Sequence, residues 1–277
     1  MTKFLYKTAL IDDQINSTNK LIDKADGVEV QLLSSEDDLS KLLDIELPVV
    51  SLHYPLSKDF DNDGCYCVDS NLGLIIQDDN KLGLFERVCT YAQLLRCSIG
   101  IHLDTPINSL DNKQLQKFAE IVKRYNVLIY LENITAHGKF DYISNREDLA
   151  EGVLFLRSLG VKCNMLVDTC HAKIAANARG LDVYQEIVDY IDWCDNDPIS
   201  PNIYIHLSDA VGDGLDYNHG TNFLMNDDEE YLDIILNKLN NCKKEAIIVL
   251  EILDRDLINR PLARELHNFI LEQKKIN

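Results

Sequence analysis

The chain of 277 residues is 46% hydrophobic and 26% charged, a composition typical of a globular protein that can bury a large core without disulfides or a structural metal. Its formal net charge of -19, from 27 basic and 46 acidic residues, opposes binding to nucleic acids, because that binding depends on Lys and Arg contacts to phosphates. No run approaches 18 consecutive apolar residues, so the sequence predicts no transmembrane helix.

Eight short apolar runs recur along the chain, separated by longer segments of helical pattern. They are rich in Val, Ile and Leu and nearly continuous in hydrophobicity, which is typical of parallel strands buried on both faces. In chain order, the predicted strands are Phe4–Leu10, Val28–Leu32, Pro48–His53, Ser98–His102, Val127–Glu132, Cys163–Asp168, Ile203–His206 and Ala246–Glu251.

The intervening segments repeat their apolar residues with a period of about 3.6, which predicts amphipathic helices. The predicted helices are Lys81–Cys97, Asn112–Tyr125, Asn145–Leu159, Leu181–Cys194, Asp227–Leu239 and Pro261–Lys275. Asp111, with Gln114 three positions on, and Asn145 are suitable N-terminal caps. Eight strand–helix repeats favour a closed (β/α)8 TIM barrel over an open sheet, and because no linker interrupts them we expect a single domain, 1–277.

Six consecutive predicted strands end in a residue type that binds metal ions. Taken singly, a histidine or carboxylate at a strand end is more often a core contact, a helix cap or a surface charge. In a barrel, however, these ends converge on the face that holds active sites, and three carboxylates beside apolar strands are costly to bury without a cation. Histidine and carboxylate ligands together suit zinc, manganese or iron. The predicted metal ligands are His53, His102, Glu132, Asp168, His206 and Glu251.

Three further residues are candidates for the same site. His171 lies three positions after Asp168 and can reach the same pocket from the following segment. Asp216 and His219 lie in the loop after His206. Each of the three is equally compatible with an ordinary loop residue.

The remaining histidines and the cysteines predict little chemistry. His137 and His267 fall outside the strand-end pattern, and we expect both at the surface. Cys170 lies between two proposed ligands, but a small buried thiol is the simpler interpretation. The eight cysteines are scattered without CxxC spacing, and residues 1–13 lack the pattern of a signal peptide, so we expect reduced thiols and a cytoplasmic protein.

Several short motifs resemble those of a known family. They are LEN at 131–133, VDTCH at 167–171, HLSD at 206–209 followed by Asp216 and His219, and LE at 250–251. In this order and over residues 48–252, they resemble the endonuclease IV family, also called AP endonuclease family 2. That family belongs to the xylose isomerase-like TIM barrels, which include sugar isomerases and epimerases.

The resemblance implies a cluster of up to three zinc ions in which Glu132 bridges two. The ligand sets that it implies are His53, His102 and Glu132 for one ion, Glu132, Asp168, His206 and Glu251 for a second, and His171, Asp216 and His219 for a third. The sugar isomerases of the superfamily resemble only the second of these sets. The first predicted strand has no histidine, unlike its counterpart in the endonuclease IV family.

Three functions fit these residues. The first is a phosphoester hydrolase that uses several metal ions. The second is a sugar or sugar-phosphate isomerase or epimerase, in which one manganese or magnesium ion polarises the substrate while Glu132 and Glu251 transfer a proton. The third is a barrel that binds a metal or a metabolite without catalysis. The number of histidines favours hydrolysis, and the acidic charge favours isomerisation.

The charge pattern indicates a small substrate. The segment Ser208–Tyr231 contains no Lys or Arg and many acids, which disfavours duplex DNA as a partner. We expect a small phosphorylated or polyhydroxylated substrate, bound by the metals and by basic residues that follow the strands. Those basic residues are Lys58, Lys139, Lys173, Arg179 and Arg255.

Overall fold

The computed structural model describes residues 2–20, 25–32, 38–54, 71–103, 105–134, 145–210, 220–226, 228–252 and 260–272. Eight parallel strands close into a barrel, each pairing with its neighbours in chain order and the first with the last. The strands are β1 (Lys3–Ala9), β2 (Gly27–Gln31), β3 (Val49–His53), β4 (Ser98–Leu103), β5 (Ile129–Asn133), β6 (Cys163–Asp168), β7 (Asn202–Leu207) and β8 (Glu245–Leu250). The closed barrel confirms the predicted (β/α)8 fold.

Helices connect the strands and cover the outside of the barrel. In the described part of the chain they are α1 (Asp12–Asn19), α2 (Leu72–Ile75), α3 (Asp79–Leu95), α4 (Asn112–Tyr125), α5 (Arg146–Ser158), α6 (Thr169–Arg179), α7 (Val183–Asn196), α8 (Glu229–Asn240) and α9 (Pro261–Glu272). Within that same part, no helix combines the length and the apolar character needed to cross a membrane.

The predicted helix caps are present. Asp111 accepts a hydrogen bond from the backbone N–H of Gln114 at 2.9 Å and begins α4. Asn145 accepts one from the backbone N–H of Asp148 at 2.8 Å and begins α5. Each satisfies a backbone donor that the first helical turn leaves unpaired.

The sequence analysis does not predict α1, α2 or α6, because α2 is short and the other two lack a simple apolar stripe. Helix α6 buries seven residues, including Thr169, Cys170 and Ile174, so no polar face marks its period. Helix α1 buries polar residues, among them Gln14, whose side-chain oxygen accepts a hydrogen bond from the backbone of Ala9 at 3.0 Å. A pattern of apolar spacing does not detect helices that bury polar groups or bury most of their surface.

Apolar and polar side chains occupy different levels of the barrel interior. Successive side chains of a strand point to opposite faces, so residues two apart share a face. An apolar cluster therefore lies on the same faces as the predicted ligands, one layer nearer the strand N-termini: Tyr130 precedes Glu132 by two positions, and Tyr204 precedes His206 by two. This cluster comprises Leu5, Tyr130, Leu166, Tyr204, Ile247 and Val249. The polar residues stand on this apolar floor at the C-terminal ends of the strands.

Candidate metal centre

The strand-end residues that the sequence predicted as ligands lie close together. Strand register sets neighbouring pairs side by side, with His102 opposite Glu132 and Asp168 opposite His206. Three overlapping groups of residues could each hold a metal ion, because within each group the ligand atoms lie within 4.8 Å of one another. The groups are His53, Glu132 and His206; His102, Glu132 and His171; and Glu132, Asp168, His206 and Glu251. Their assignment as metal ligands stays a prediction.

Glu132 lies at the centre, and its two carboxylate oxygens face different histidines. Oε2 lies 2.8 Å from His53 Nε2 and 3.3 Å from His102 Nε2. Oε1 lies 3.1 Å from His206 Nδ1 and 3.8 Å from His171 Nδ1. The Glu132 carboxylate thus lies between two groups of histidines. Its Oε2 faces the histidines of β3 and β4, and its Oε1 faces those of β7 and α6.

Three carboxylates converge on one nitrogen of His206. Its Nδ1 lies 2.5 Å from Glu251 Oε2, 3.1 Å from Glu132 Oε1 and 3.9 Å from Asp168 Oδ2. The residue is fully buried. On the other side of the ring, Nε2 lies 2.9 Å from Glu29 Oε1. The imidazole is therefore enclosed by acidic groups on both edges.

Asp168 also begins α6. Its Oδ1 accepts a hydrogen bond from the backbone N–H of His171 at 2.8 Å, while Oδ2 faces His206. Asn133 fixes the same point of the chain, since its side chain accepts a hydrogen bond from the Asp168 backbone N–H at 2.7 Å and donates one to the Asp168 carbonyl at 3.0 Å. His171 Nδ1 lies 2.8 Å from the Asn133 carbonyl, so its imidazole is oriented by the backbone of β5.

Two residues of the site escaped the sequence analysis. Lys7 on β1 forms an ion pair with Glu251 Oε1, and Glu29 on β2 contacts His206. Neither residue ends a predicted strand, and lysine is not a usual metal ligand, so the strand-end pattern includes neither. A charged residue inside an apolar run, as in FLYKTAL and GVEVQ, was the available signal.

The electrostatics of the centre reflect close pairing of opposite charges. Burial lowers the pKa of His206, but the carboxylates of Glu29, Glu132 and Glu251 raise it by more than burial lowers it. The pKa of His206 therefore lies well above its ordinary value. Burial raises the pKa of Glu132, but His206 and His102 bring it well below the ordinary range. A proton on His206 therefore partly offsets the surrounding carboxylates when no metal is bound.

Lys7 and His102 respond differently to burial. Burial lowers the pKa of Lys7, but the carboxylates of Glu251, Glu29 and Glu132 raise it above its ordinary value. The pKa of His102 is lowered, mainly by burial and despite Glu132. His102 is thus held neutral, the form that binds a metal ion.

The other predicted residues differ in outcome. Asp216, His219 and His137 lie outside the described residues, as do Lys58, Lys139, Arg255, Cys65 and Cys67. Arg179 is exposed at the far end of α6. Cys170 is buried, as expected, and the six cysteines in the described ranges form no disulfide with one another.

The surface position predicted for His267 is wrong. His267 on α9 is buried, because this helix packs its apolar side against β1. Its Nδ1 lies 2.9 Å from the Tyr6 hydroxyl, and its ring packs against Phe4 at a centroid distance of 4.7 Å. The sequence does not show that His267 is buried, because its partners Tyr6 and Phe4 lie far away along the chain.

Lys173 is paired within the protein. Its ammonium lies 2.5 Å from Asp209 Oδ1 and 2.5 Å from Asp228 Oδ2. Asp209 also forms an antiparallel bridge with Thr221, and Asn226 donates hydrogen bonds to both of these side chains. These contacts join Asp209 to Thr221 and engage Lys173, one of the two basic residues on α6, with Arg179, that were expected to reach a substrate.

Comparison with known proteins identifies the fold. No protein-family model matches the sequence, and the search of curated proteins found no match. Among solved structures, a xylose isomerase domain protein from Alicyclobacillus acidocaldarius subsp. acidocaldarius is similar at 14% identity and a TM-score of 0.56, over 99% of this chain and 98% of that chain. A D-psicose 3-epimerase solved in the presence of D-fructose has 14% identity and a TM-score of 0.55, over 100% and 99% of the two chains.

A third similar structure is the probable 3-DHS dehydratase AsbF from Bacillus anthracis, with 12% identity and a TM-score of 0.54 over 97% of this chain and 98% of that one. At such low identities these similarities establish the fold alone. The chain has a xylose isomerase-like TIM-barrel fold.

Proposed function

We propose that the chain is a divalent-metal-dependent hydrolase that cleaves a phosphoester in a small substrate. The observation that carries the proposal is the arrangement of Glu132, whose Oε2 faces His53 and His102 while Oε1 faces His206. A carboxylate with imidazoles at both oxygens can bridge two metal ions, and two-metal centres with ions about 3.5–4 Å apart are typical of phosphoester hydrolases.

The charge of the centre supports a cation. Glu29, Glu132, Asp168 and Glu251 are four buried carboxylates, and Lys7 is the lysine paired among them. Burying like charges together is costly unless a cation or hydrogen bonds compensate. The side-chain donors are nitrogen and oxygen atoms only, which suits zinc better than calcium or magnesium.

The residues present would divide between two ions. His102, Glu132 and His171 would hold the first, with His53 beside the same carboxylate. Glu132 Oε1, Asp168, His206 and Glu251 would hold the second. When bound, the ions would supply Lewis acidity that activates water and neutralises charge on phosphoryl oxygens.

The protein's own side chains orient the centre. Lys7 holds one oxygen of Glu251, so that the other oxygen faces His206. The Tyr54 carbonyl lies 3.2 Å from His53 Nδ1 and can accept its proton, so that Nε2 is directed at Glu132. These contacts fix the ligands before a substrate binds, which limits the reorganisation needed for catalysis.

The substrate that fits this charge pattern is small. The ligands lie at the base of the barrel mouth with little or no exposure, and Lys173 is engaged by Asp209 and Asp228. A duplex needs many cationic contacts along its backbone, and the net charge of -19 disfavours them. A phosphomonoester or a sugar phosphate needs only the centre itself.

The test is metal content combined with a divided-site variant. We expect two or more zinc ions per chain by elemental analysis, and hydrolysis of p-nitrophenyl phosphate. The double variant His53→Ala/His102→Ala should keep one ion in the remaining site and lose at least about 100-fold in turnover, the scale on which losing one electrostatic stabiliser acts. A double variant with full turnover, or a wild-type chain that binds a single ion, contradicts the proposal.

A sugar isomerase or epimerase is the second candidate. It is favoured by the convergence of Glu132, Asp168, His206 and Glu251 into a set that holds one metal without His53 or His102. In that case Glu132 and Glu251 would act on opposite faces of the substrate, one removing a proton and the other returning one. Interconversion of ketoses by the wild type, retained in the double variant, would select this function over hydrolysis. Metal binding with neither activity would select the non-catalytic barrel.

A further inference from the structure

Strand β2 supplies no metal ligand in the proposed centre, but it supplies one buried carboxylate. Glu29 is fully buried, and its Oε1 lies 2.9 Å from Nε2 of His206. The opposite nitrogen of the ring, Nδ1, is the one that faces the acidic ligands. The two nitrogens of His206 therefore have separate surroundings, one towards the metal centre and one towards β2.

Glu29 is itself held in place. The hydroxyl of Tyr204 donates a hydrogen bond to Glu29 Oε2 at 3.0 Å. Tyr204 is fully buried, and its ring packs on Tyr130 at a centroid distance of 4.6 Å. One carboxylate oxygen is thus anchored to the apolar floor of the barrel, and the other remains for the histidine.

We propose that Glu29 is a positioning residue that orients His206 for metal binding. By accepting the Nε2 proton, Glu29 would leave the lone pair of His206 on Nδ1, where the carboxylate ligands converge. The two atoms lie 2.9 Å apart, within hydrogen-bonding distance, and both are buried with no other hydrogen-bond partner in the described part of the chain. Histidine ligands of metal ions regularly donate their second ring N–H to a carboxylate in this way. The inference rests on the proposed metal centre but does not depend on which reaction it catalyses.

The test measures metal affinity without a substrate. Metal-free protein is titrated with zinc against a chromogenic chelator, for the wild type and for Glu29→Gln. The amide keeps the size of the carboxylate but not its charge, so a role in packing alone would leave zinc affinity unchanged. We expect zinc to bind Glu29→Gln about 10- to 100-fold more weakly, the range found when such outer partners are removed.

Two further variants strengthen the experiment. Tyr204→Phe removes the hydroxyl that anchors Glu29 and keeps the ring, so zinc affinity should fall by a smaller factor. Glu120→Gln makes the same chemical change on the exposed face of α4 and should bind zinc like the wild type. Circular dichroism of the metal-free proteins checks that each variant is folded.

A spectroscopic readout separates positioning from general weakening of the site. In zinc-loaded wild type, nitrogen NMR should show His206 with the metal on Nδ1 and a slowly exchanging proton on Nε2. In Glu29→Gln that proton should exchange faster. Wild-type zinc affinity in Glu29→Gln, with an unchanged Nε2 signal, would overturn the inference while leaving the metal centre in place.

The outcomes for the two proposals are distinct. A wild-type chain that binds no divalent metal would overturn both the positioning role and the proposed function. A chain that binds zinc through the Glu29–His206 pair but hydrolyses no phosphoester would retain the positioning role and reject the hydrolase.

Discussion

Lys7 and Glu251 form an ion pair that connects the first strand of the barrel to the residue that follows the last. The two side chains are 19% and 10% exposed, so the pair is mostly shielded from water. It lies beside the candidate metal ligands, where β1 and β8 pair to close the barrel. The same ion pair therefore offsets the negative charge of Glu251 and links β1 to the end of β8.

We therefore expect Lys7→Met to destabilise the metal-free protein by about 3 kcal/mol, because it leaves Glu251 buried without its cation. Zinc should restore most of this loss, since the metal supplies the missing positive charge. Urea unfolding with and without zinc measures both effects. The control Lys117→Met removes an exposed pair with Asp79 and should change the free energy of unfolding by less than about 1 kcal/mol. A metal-free Lys7→Met protein as stable as the wild type would contradict the role assigned to the pair.

Glu132→Gln should abolish turnover and leave the fold intact. Glu132 would bridge two metals in a hydrolase and transfer a proton in an isomerase, so a neutral amide cannot replace it in either mechanism. We expect a loss of at least about 1,000-fold, within the range for removing a residue that acts in proton transfer. Steady-state kinetics and thermal unfolding by circular dichroism provide the two measurements.

The matched control for this change is Glu272→Gln, which alters an exposed residue at the end of α9. It should retain wild-type turnover and thermal stability. Wild-type turnover in Glu132→Gln would exclude both catalytic mechanisms, and an unfolded Glu132→Gln protein would show that the carboxylate is needed for folding as well.

The pair between Arg157 and Asp197 predicts a pH-dependent contribution to stability. The guanidinium donates to both oxygens of Asp197, at 2.9 and 2.6 Å, and the side chains are 11% and 4% exposed. Burial raises the pKa of Asp197, but hydrogen bonds from Arg157 outweigh it and hold the pKa below its ordinary value. A lowered folded-state pKa gives stability that is present above the unfolded value of about 3.9 and is lost as the pH falls through the folded value.

Asp197→Asn should therefore destabilise the protein by about 3 kcal/mol at pH 7, because the guanidinium loses its ionic partner. The difference from the wild type should shrink as the pH falls below about 4, where the wild-type carboxylate also becomes protonated. Urea unfolding at a series of pH values measures the difference. A difference that grows towards acid would reverse the sign and refute the assignment.

Duplex DNA should bind weakly or not at all near physiological salt. The net charge of -19 opposes distributed phosphate contacts, and Lys173 is already paired with two aspartates. An abasic-site duplex titrated at about 0.15 M salt, where specific binders retain high affinity, gives the measurement. Sub-micromolar binding with cleavage at the abasic site would restore a DNA-repair role.

The barrel and most of its centre could be predicted from the sequence because both depend on period and position. Nearly continuous apolar runs identified all eight strands, and ligand-type residues at their ends identified His53, Glu132 and Glu251. Strand register then brings these ends together without further information. Residues at regular places in the fold are the ones that a single sequence reveals.

The parts that the sequence did not predict depend on partners distant along the chain. Lys7 pairs with Glu251, which lies 244 positions away, and Glu29 contacts His206, which lies 177 positions away. Their charges inside apolar runs are visible in the sequence, but the closing of the barrel brings these partners to them. His267 was misplaced for the same reason, since its contact with β1 crosses nearly the whole chain.

The bridge between Asp209 and Thr221 fixes the chain shortly after β7. The backbone hydrogen bonds of this bridge, at 2.9 and 3.0 Å, join the described residues on either side of positions 211–219. Asn226 and Lys173 hold the same junction from neighbouring elements. A segment whose ends are fixed independently of its interior can change length and composition with little strain on the strands. Substitutions or insertions between Ala210 and Gly220 should therefore leave β7 and the candidate metal ligand His206 in place.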